Sequence, residues 1–212
     1  MKPKVFSQWD LLSAAGGCAL WAFYLRLLPT LPEPFPIHFN AAGRANGWTP
    51  KDHLHWIIFG MPLFMWLLLV VIGAASSRLT KDPVLAEIQA IHPLRGLLGL
   101  GSCLLMGSTL LIPAHGMRAL QVGVALLLVC LVSGVVLLGR DATRLLKGSP
   151  GDGNYRWGFF YNNPGDPRLW VEKRIGIGWT LNYGRPAAWW LTVLFLVPAL
   201  AALAVAVIKL GG

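Results

Sequence analysis

Trp56–Ser77, WIIFGMPLFMWLLLVVIGAASS, runs for 22 residues without a charged side chain. At about 1.5 Å of rise per residue a helix of that length reaches about 33 Å, enough for a hydrocarbon core about 30 Å thick. Four more stretches share this character: Leu11–Pro29, Gly96–Ala114, Ala119–Gly139 and Ala187–Ile208. Pro62 and Pro198 lie inside such runs, where neighbouring helices can satisfy the freed carbonyls. Trp9, Trp56, Trp189 and Trp190 fall at their ends, as in an aromatic belt. The spacing therefore predicts an all-α polytopic membrane protein of five transmembrane helices.

Composition agrees. The 212 residues are 55% hydrophobic and only 13% charged, against about 25% charged in ordinary soluble domains. Mean hydropathy is +0.58 and the net charge is +9. So little charge cannot solvate a soluble globule of this size, which argues against disorder, a basic nucleic-acid module or an ordinary soluble enzyme. Lys2 and Lys4 precede the first run, but Pro29–Pro36 offers no small-x-small cleavage site, so that run is expected to be a retained helix. Cys18, Cys103 and Cys130 lie far apart in apolar runs, which excludes a disulfide framework and a thiolate zinc site; they are expected to be buried small residues.

With five crossings, the sides joined to the N-terminus carry 13 of the 18 Lys and Arg residues and the opposite sides carry 5. The positive-inside rule then places the N-terminus in the cytoplasm and the C-terminus outside. Two segments remain outside the lipid: Leu31–His55 on the outer side and Arg140–Pro186 on the cytoplasmic side. The chain divides into an N-terminal membrane domain at 1–80, a transmembrane hairpin at 81–140, and a C-terminal part at 141–212 containing a small element at 155–183 and the last helix.

In the outer segment, Pro29, Pro32, Pro34 and Pro36 enforce an extended path, and Ile37–Phe39 reads as a short extended piece. Asn40–Gly43 and Ala45–Gly47 carry turn chemistry. Thr49 followed by Pro50 reads as the cap and first position of the second helix. His38 and Asn40 could tie the loop's own backbone together, with Trp48 plugging it onto the helix ends. They could instead contact a partner, or His38 could join His53 and His55 in a metal site, although the latter two point away from each other on a helix.

In the cytoplasmic segment, Gly148–Asn154 is a break, followed by alternation at Trp157/Phe159/Tyr161, Leu169/Val171 and Ile175/Ile177 that predicts short strands. Asn162–Pro167 is a turn between the first two. Asp166, Arg168, Glu172, Lys173 and Arg174 form the densest charge cluster. It serves an internal Asp/Glu–Arg network, contact with an anionic headgroup or a protein, or, least supported by the residues present, catalysis.

Pro36, His38, Asn40, Ala41, Gly43, Gly47 and Trp48 resemble the outer-loop motif of a bacterial membrane-domain family of unknown function, over about the first 80 residues. That domain also forms the N-terminal part of SdpI-like immunity proteins, which protect cells from a secreted peptide toxin. Asn46 stands where the family usually shows Asp. A denser match, over roughly 30 residues, resembles a second domain of unknown function often fused behind the first. It is carried by Trp157, Gly158, Tyr161, Asn163, Pro164, Asp166, Pro167, Arg168, Val171, Glu172, Arg174, Gly176, Gly178, Trp179, Thr180 and Asn182. The resemblance implies a bacterial inner-membrane protein. The candidate contact residues are therefore His38, Asn40, Gly43, Asn46, Gly47 and Trp48 outside, and Asn163, Asp166, Arg168, Glu172, Arg174, Trp179 and Asn182 inside.

The apolar runs carry no ionisable residue near their middles, which argues against proton-coupled transport and intramembrane proteolysis. Gly99, Cys103 and Gly107 make a small-residue face, expected to receive the helix that follows in sequence. The expected function is a non-enzymatic membrane protein that recognises a peptide or protein at its outer face, as in toxin immunity, sensing or envelope stress. The alternatives are a permease subunit for a small or amphipathic solute and a regulatory scaffold docking a cytoplasmic partner. The expected partners are the bilayer, an outer peptide or protein, and an anionic lipid or cytoplasmic protein at the inner loop. No cofactor, metal or nucleic acid is expected.

Overall fold

The computed structural model describes residues 6–40, 43–148, 152–175 and 178–211. Among these, four helical stretches are long and apolar enough to cross a membrane: Asp10–Thr30, Lys51–Leu79, Pro83–Thr109 and Met117–Leu145. We label the helices α1 (Asp10–Leu27), α2 (Lys51–Leu79), α3 (Pro83–Gln89), α4 (His92–Thr109), α5 (Ile112–His115), α6 (Met117–Leu145) and α7 (Pro186–Gly211). The fifth expected run falls within α7.

The third crossing begins earlier than its hydropathy suggests. Asp82 caps α3 by accepting hydrogen bonds from the Val84 and Leu85 amides, and Pro83 opens the helix. The chain then bends at Ile91, whose φ of 50° is costly for a β-branched residue. There the carbonyl of Ala90 rests on Gly73 of α2, where a Cβ would lie only 2.6 Å from it.

This bend sets α4 into the middle of the bundle. Half of the apolar 18-residue window within Pro83–Thr109 is buried inside the protein, against 17–28% of the corresponding windows in the other three. In lipid, helices associate by close packing rather than by a hydrophobic drive, and small residues permit the approach. The face carrying Gly99, Cys103 and Gly107 receives α1, not α6: Gly16 of α1 meets Cys103, and Gly107 meets Leu20. The following helix, α6, takes another face of α4, with Gly101 against Leu127 and Cys130, and Leu94 against Gly134. Sequence proximity misassigned this face because α4 has small residues on both sides.

The Leu31–His55 segment is more ordered than its turn-rich sequence implies. Phe35–Phe39 (β1) and Ala45–Thr49 (β2) pair as an antiparallel hairpin, with Phe35 opposite Thr49 and His38 opposite Gly47. Phe35 is buried with Leu20, Tyr24, Leu31, Leu54 and Ile58, so the hairpin is rooted in the bundle's end. Thr49 belongs to β2 and does not cap α2; Glu33 Oε2 accepts the Lys51 amide at 3.0 Å instead.

At the other end, Tyr155–Arg156 (β3) pairs with Phe160–Tyr161 (β4), and Trp170–Glu172 (β5) with Trp179–Leu181 (β6). Trp157 and Gly158 form the first turn, with φ of 56° and 71°, rather than a strand. Ile175 is no strand residue either; it packs with Leu138, Ala142 and Leu146 and fastens the element to α6. Two-stranded pieces are marginal alone, so this helix end supplies their support. Ala41, Gly176 and Ile177 lie outside the described residues.

Candidate functional site

The polar motif of the β1–β2 hairpin is spent largely on the hairpin itself. His38 Nδ1 hydrogen-bonds to Asn46 Oδ1 across the strands. Asn40 Oδ1 accepts the Arg44 amide at 3.0 Å, its own amide donates to the Arg44 carbonyl at 2.9 Å, and its carbonyl accepts the Gly43 amide. Gly43 has a φ of 70°, which the turn requires and a side chain would strain. A Cβ on Gly47 would lie 2.9 Å from that of His38, so the His38 side chain occupies the space Gly47 leaves. Trp48 is different: it is 54% exposed and, with Ile37, gives the hairpin an apolar surface.

The motif of the 155–183 element is organised around Asn182, which is fully buried. Its Oδ1 accepts the amides of Asn163 and Gly184, each at 3.0 Å. Its Nδ2 donates to the carbonyls of Asn163, Asp166 and Arg168 at 2.9–3.2 Å. One side-chain amide thus closes the turn that the prolines open. Asp166 accepts the Arg168 guanidinium through Nε and Nη2, the Arg168 amide, and the Tyr161 hydroxyl. Its hydrogen bonds from Arg168 hold the carboxyl far below the usual carboxylate range. Asn163 Nδ2 in turn donates to the Tyr161 hydroxyl. Arg174 lies over the Tyr155 ring at 5.9 Å. Glu172 accepts the Tyr155 hydroxyl through its backbone carbonyl, and Trp179, its cross-strand partner, is 60% exposed. Asn163, Asp166, Arg168 and Asn182 are therefore joined in one network, while Glu172, Arg174 and Trp179 lie on a neighbouring surface.

A third centre was not apparent from sequence. Arg95 of α4 is 1% exposed and grips Asp10 of α1 through Nε to Oδ1 at 2.8 Å and Nη2 to Oδ2 at 2.6 Å. Trp66 of α2 donates its indole N–H to Asp10 Oδ1 at 3.0 Å, and the Ser7 amide donates to Oδ2 at 2.7 Å. Trp66 is the eleventh residue of the 22-residue uncharged run. An ion pair thus sits beside the middle of an apolar helix, supplied by residues that flank the apolar runs of α1 and α4. Gly96 makes room for it, because its face lies against the Trp9 carbonyl. The pair was hidden because Asp10 and Arg95 each stand near the start of their helices and read as interfacial. Only the stagger of α1 and α4 against the longer α2 brings them beside Trp66. His92, one turn before Arg95, is also buried; its ring nitrogens have no hydrogen-bond partner among the described residues.

Beside this centre a cavity of about 550 Å³ opens between α1 and α2, with α4 as its floor. Asp10, Ser13 and Trp66 stand at one end, Trp21 and Phe59 at the other, and Gly17, Cys18 and Leu63 along its walls. Trp21 and Phe59 pack with ring centroids 4.8 Å apart, while Phe6 stacks on Trp66 at 6.0 Å. Cys103 and Cys130 are buried as expected, but Cys18 is exposed at this opening. Among the described residues no three His, Cys, Asp or Glu side chains converge as a metal site would require.

Two family models match the chain. One, described as a domain of unknown function (DUF1648), covers residues 16–66, and the other, described as a family of unknown function (DUF5808), covers residues 164–189. The first holds the hairpin, the α2 wall of the cavity and its α1 wall from Gly17 to Trp21; the second holds the Asn182 network. No curated protein and no solved structure matches the chain.

Proposed function

We propose that this chain is a non-enzymatic protein of the bacterial inner membrane whose outer hairpin recognises an amphipathic peptide or protein. Its role is that of a toxin-immunity or envelope-stress component similar to SdpI-like proteins. In this reading α7 is the fifth crossing, the N-terminus is cytoplasmic and the C-terminus is outside. With Arg95 withdrawn into its ion pair, 12 Lys and Arg residues remain on the N-terminal side against 5 opposite, which supports that orientation.

The observation that carries the proposal is the division of labour in the hairpin. His38, Asn40 and Asn46 bond to the hairpin's own groups, which fixes its shape, and Trp48 is left outward on that fixed frame. An exposed Trp on a rigid support loses little entropy on contact, and Trp is enriched among residues that dominate binding. The test is a challenge of cells with secreted peptide toxins and envelope stresses. Trp48→Ala is expected to abolish protection or binding at normal membrane levels, and full activity in that variant overturns the reading. His38→Ala is expected to lose function by loosening the hairpin, seen as faster proteolysis between Leu31 and His55.

A further inference from the structure

The two ends of the helical bundle carry unlike charge. Between residues 140 and 185 eight Lys and Arg stand against four Asp and Glu, whereas in Leu31–His55 Arg44 and Lys51 are balanced by Glu33 and Asp52. Seven of the eight cations at 140–185 are exposed. Two of the four carboxylates, Asp141 and Asp166, are already paired with Arg144 and Arg168. This end therefore presents a surplus of positive charge.

The β5–β6 pairing places an apolar face within that field. Residues directly opposite in a ladder share a face, and neighbours along a strand alternate. The register of Trp170 with Leu181 and of Glu172 with Trp179 puts these four side chains together, and Val171 with Thr180 on the reverse. Val171 is buried, while Trp170 and Trp179 are 55% and 60% exposed. One face of the hairpin is thus turned into the protein and the indoles are left outward. Arg168 and Lys173, both exposed, flank that face along the chain. Indoles interleaved with cations suit a surface that is apolar beneath and anionic on top.

The height of the element follows from α6, which is long and apolar enough to cross the membrane. Its apolar run ends at Gly139, and Arg140 opens its charged end. A Cβ on Gly139 would lie 2.9 Å from the Trp157 ring, so that indole rests on the helix there. Ile175 packs with Leu138, Ala142 and Leu146. Leu146, the farthest of these, is seven residues past Gly139, or about 10 Å. The headgroup layer on each side of the hydrocarbon is about 5–8 Å thick. The element is therefore fastened at the level of the headgroups that surround α6. A protein partner would have to displace those headgroups and match the same cations with carboxylates of its own.

We propose that the outward face of β5–β6 docks on anionic phospholipid headgroups of the leaflet around this end of α6, with Trp170 and Trp179 seated among them and Lys173 facing their phosphates. This surface is independent of the β1–β2 hairpin's role and of which leaflet it meets.

The test is oxidative footprinting of the full chain in vesicles, with modified tryptophans mapped by mass spectrometry. Vesicles of phosphatidylcholine alone are compared with vesicles of equal parts phosphatidylcholine and phosphatidylglycerol. Modification of Trp170 and Trp179 is expected to fall about tenfold in the anionic vesicles and to recover in high salt. Trp48, in the charge-balanced segment, should be indifferent to lipid charge. Lys173→Gln should cut the protection about fivefold, as the loss of one cation near an anionic surface does. Arg118→Gln, at the other end of α6, should leave it unchanged, and both variants should melt as the parent does. Arg156→Gln, also exposed, serves if Lys173→Gln does not fold. Equal modification of Trp170 and Trp179 in the two kinds of vesicle, whether high or low, would overturn the proposal. Protection that ignores lipid charge and arises only on adding soluble cell proteins would give the face to a protein and overturn it equally.

Discussion

The molecule builds the same pair twice, an aspartate gripped through Nε and Nη2 by an arginine, in opposite surroundings. Asp166 and Arg168 are two residues apart; the Arg168 side chain is 69% exposed and that of Asp166 10%. Asp10 and Arg95 are 85 residues apart, and the Arg95 side chain is 1% exposed. Bond lengths barely distinguish them, at 2.7 and 2.6 Å for the Nη2 contacts. Their worth differs because water competes for the Arg168 guanidinium and hardly reaches that of Arg95. An exposed pair contributes on the order of 0–1 kcal/mol. A buried one adds little over an apolar replacement of similar shape, yet removing only one partner strands a charge in a medium that cannot solvate it.

The largest expected effect follows from that asymmetry. Arg95→Met should destabilise the protein by about 3–5 kcal/mol, because Asp10 is left charged among α1, α2 and α4; unfolding in mixed detergent reads the loss. Asn182→Ala comes next. It strips partners from two amides and three carbonyls around a buried position, and about 2–3 kcal/mol is expected from the groups left unsatisfied. The loss should appear in the element at 155–183 before the helices, as proteolysis within that element. The smallest effect belongs to the exposed pair. Asp166→Ala should cost the least of the three, and its loss should shrink further in high salt. Because Arg168 lowers the folded-state pKa of Asp166, its stabilisation is full above the ordinary carboxylate value of 3.8 and drains away as pH falls below it. Tryptophan fluorescence of Trp170 and Trp179 between pH 5 and about pH 2 follows that change. A salt-insensitive loss as large as that of Arg95→Met would erase the contrast.

The same comparison explains what the sequence disclosed. Apolar run length located α1, α2 and α6 to within a few residues, because the bilayer's thickness is a one-dimensional constraint. Asp166 and Arg168 were legible as neighbours in the densest charge cluster because a turn keeps its polar partners close along the chain, whereas the bond between Asn163 and Asn182, 19 residues apart, was not. The His38 to Trp48 motif was legible as a unit, although its pairing as a hairpin was not, since Gly43 and Gly47 also suit an irregular loop. The Asp10–Arg95–Trp66 centre depends on how far three helices slide past one another. Nothing local to Asp10 or Arg95 encodes that stagger. The available hints were Gly96 and Gly99 on α4 and a lone indole N–H at the middle of α2.

A double-mutant cycle on the buried pair addresses that centre directly. Asp10→Leu and Arg95→Met should each be strongly destabilising alone, and the combined variant should return to within about 1 kcal/mol of the parent, since the two apolar chains remove both charges together. If the double variant instead loses the full sum of the single losses, the two side chains are not coupled, and the ion pair does not organise the bundle.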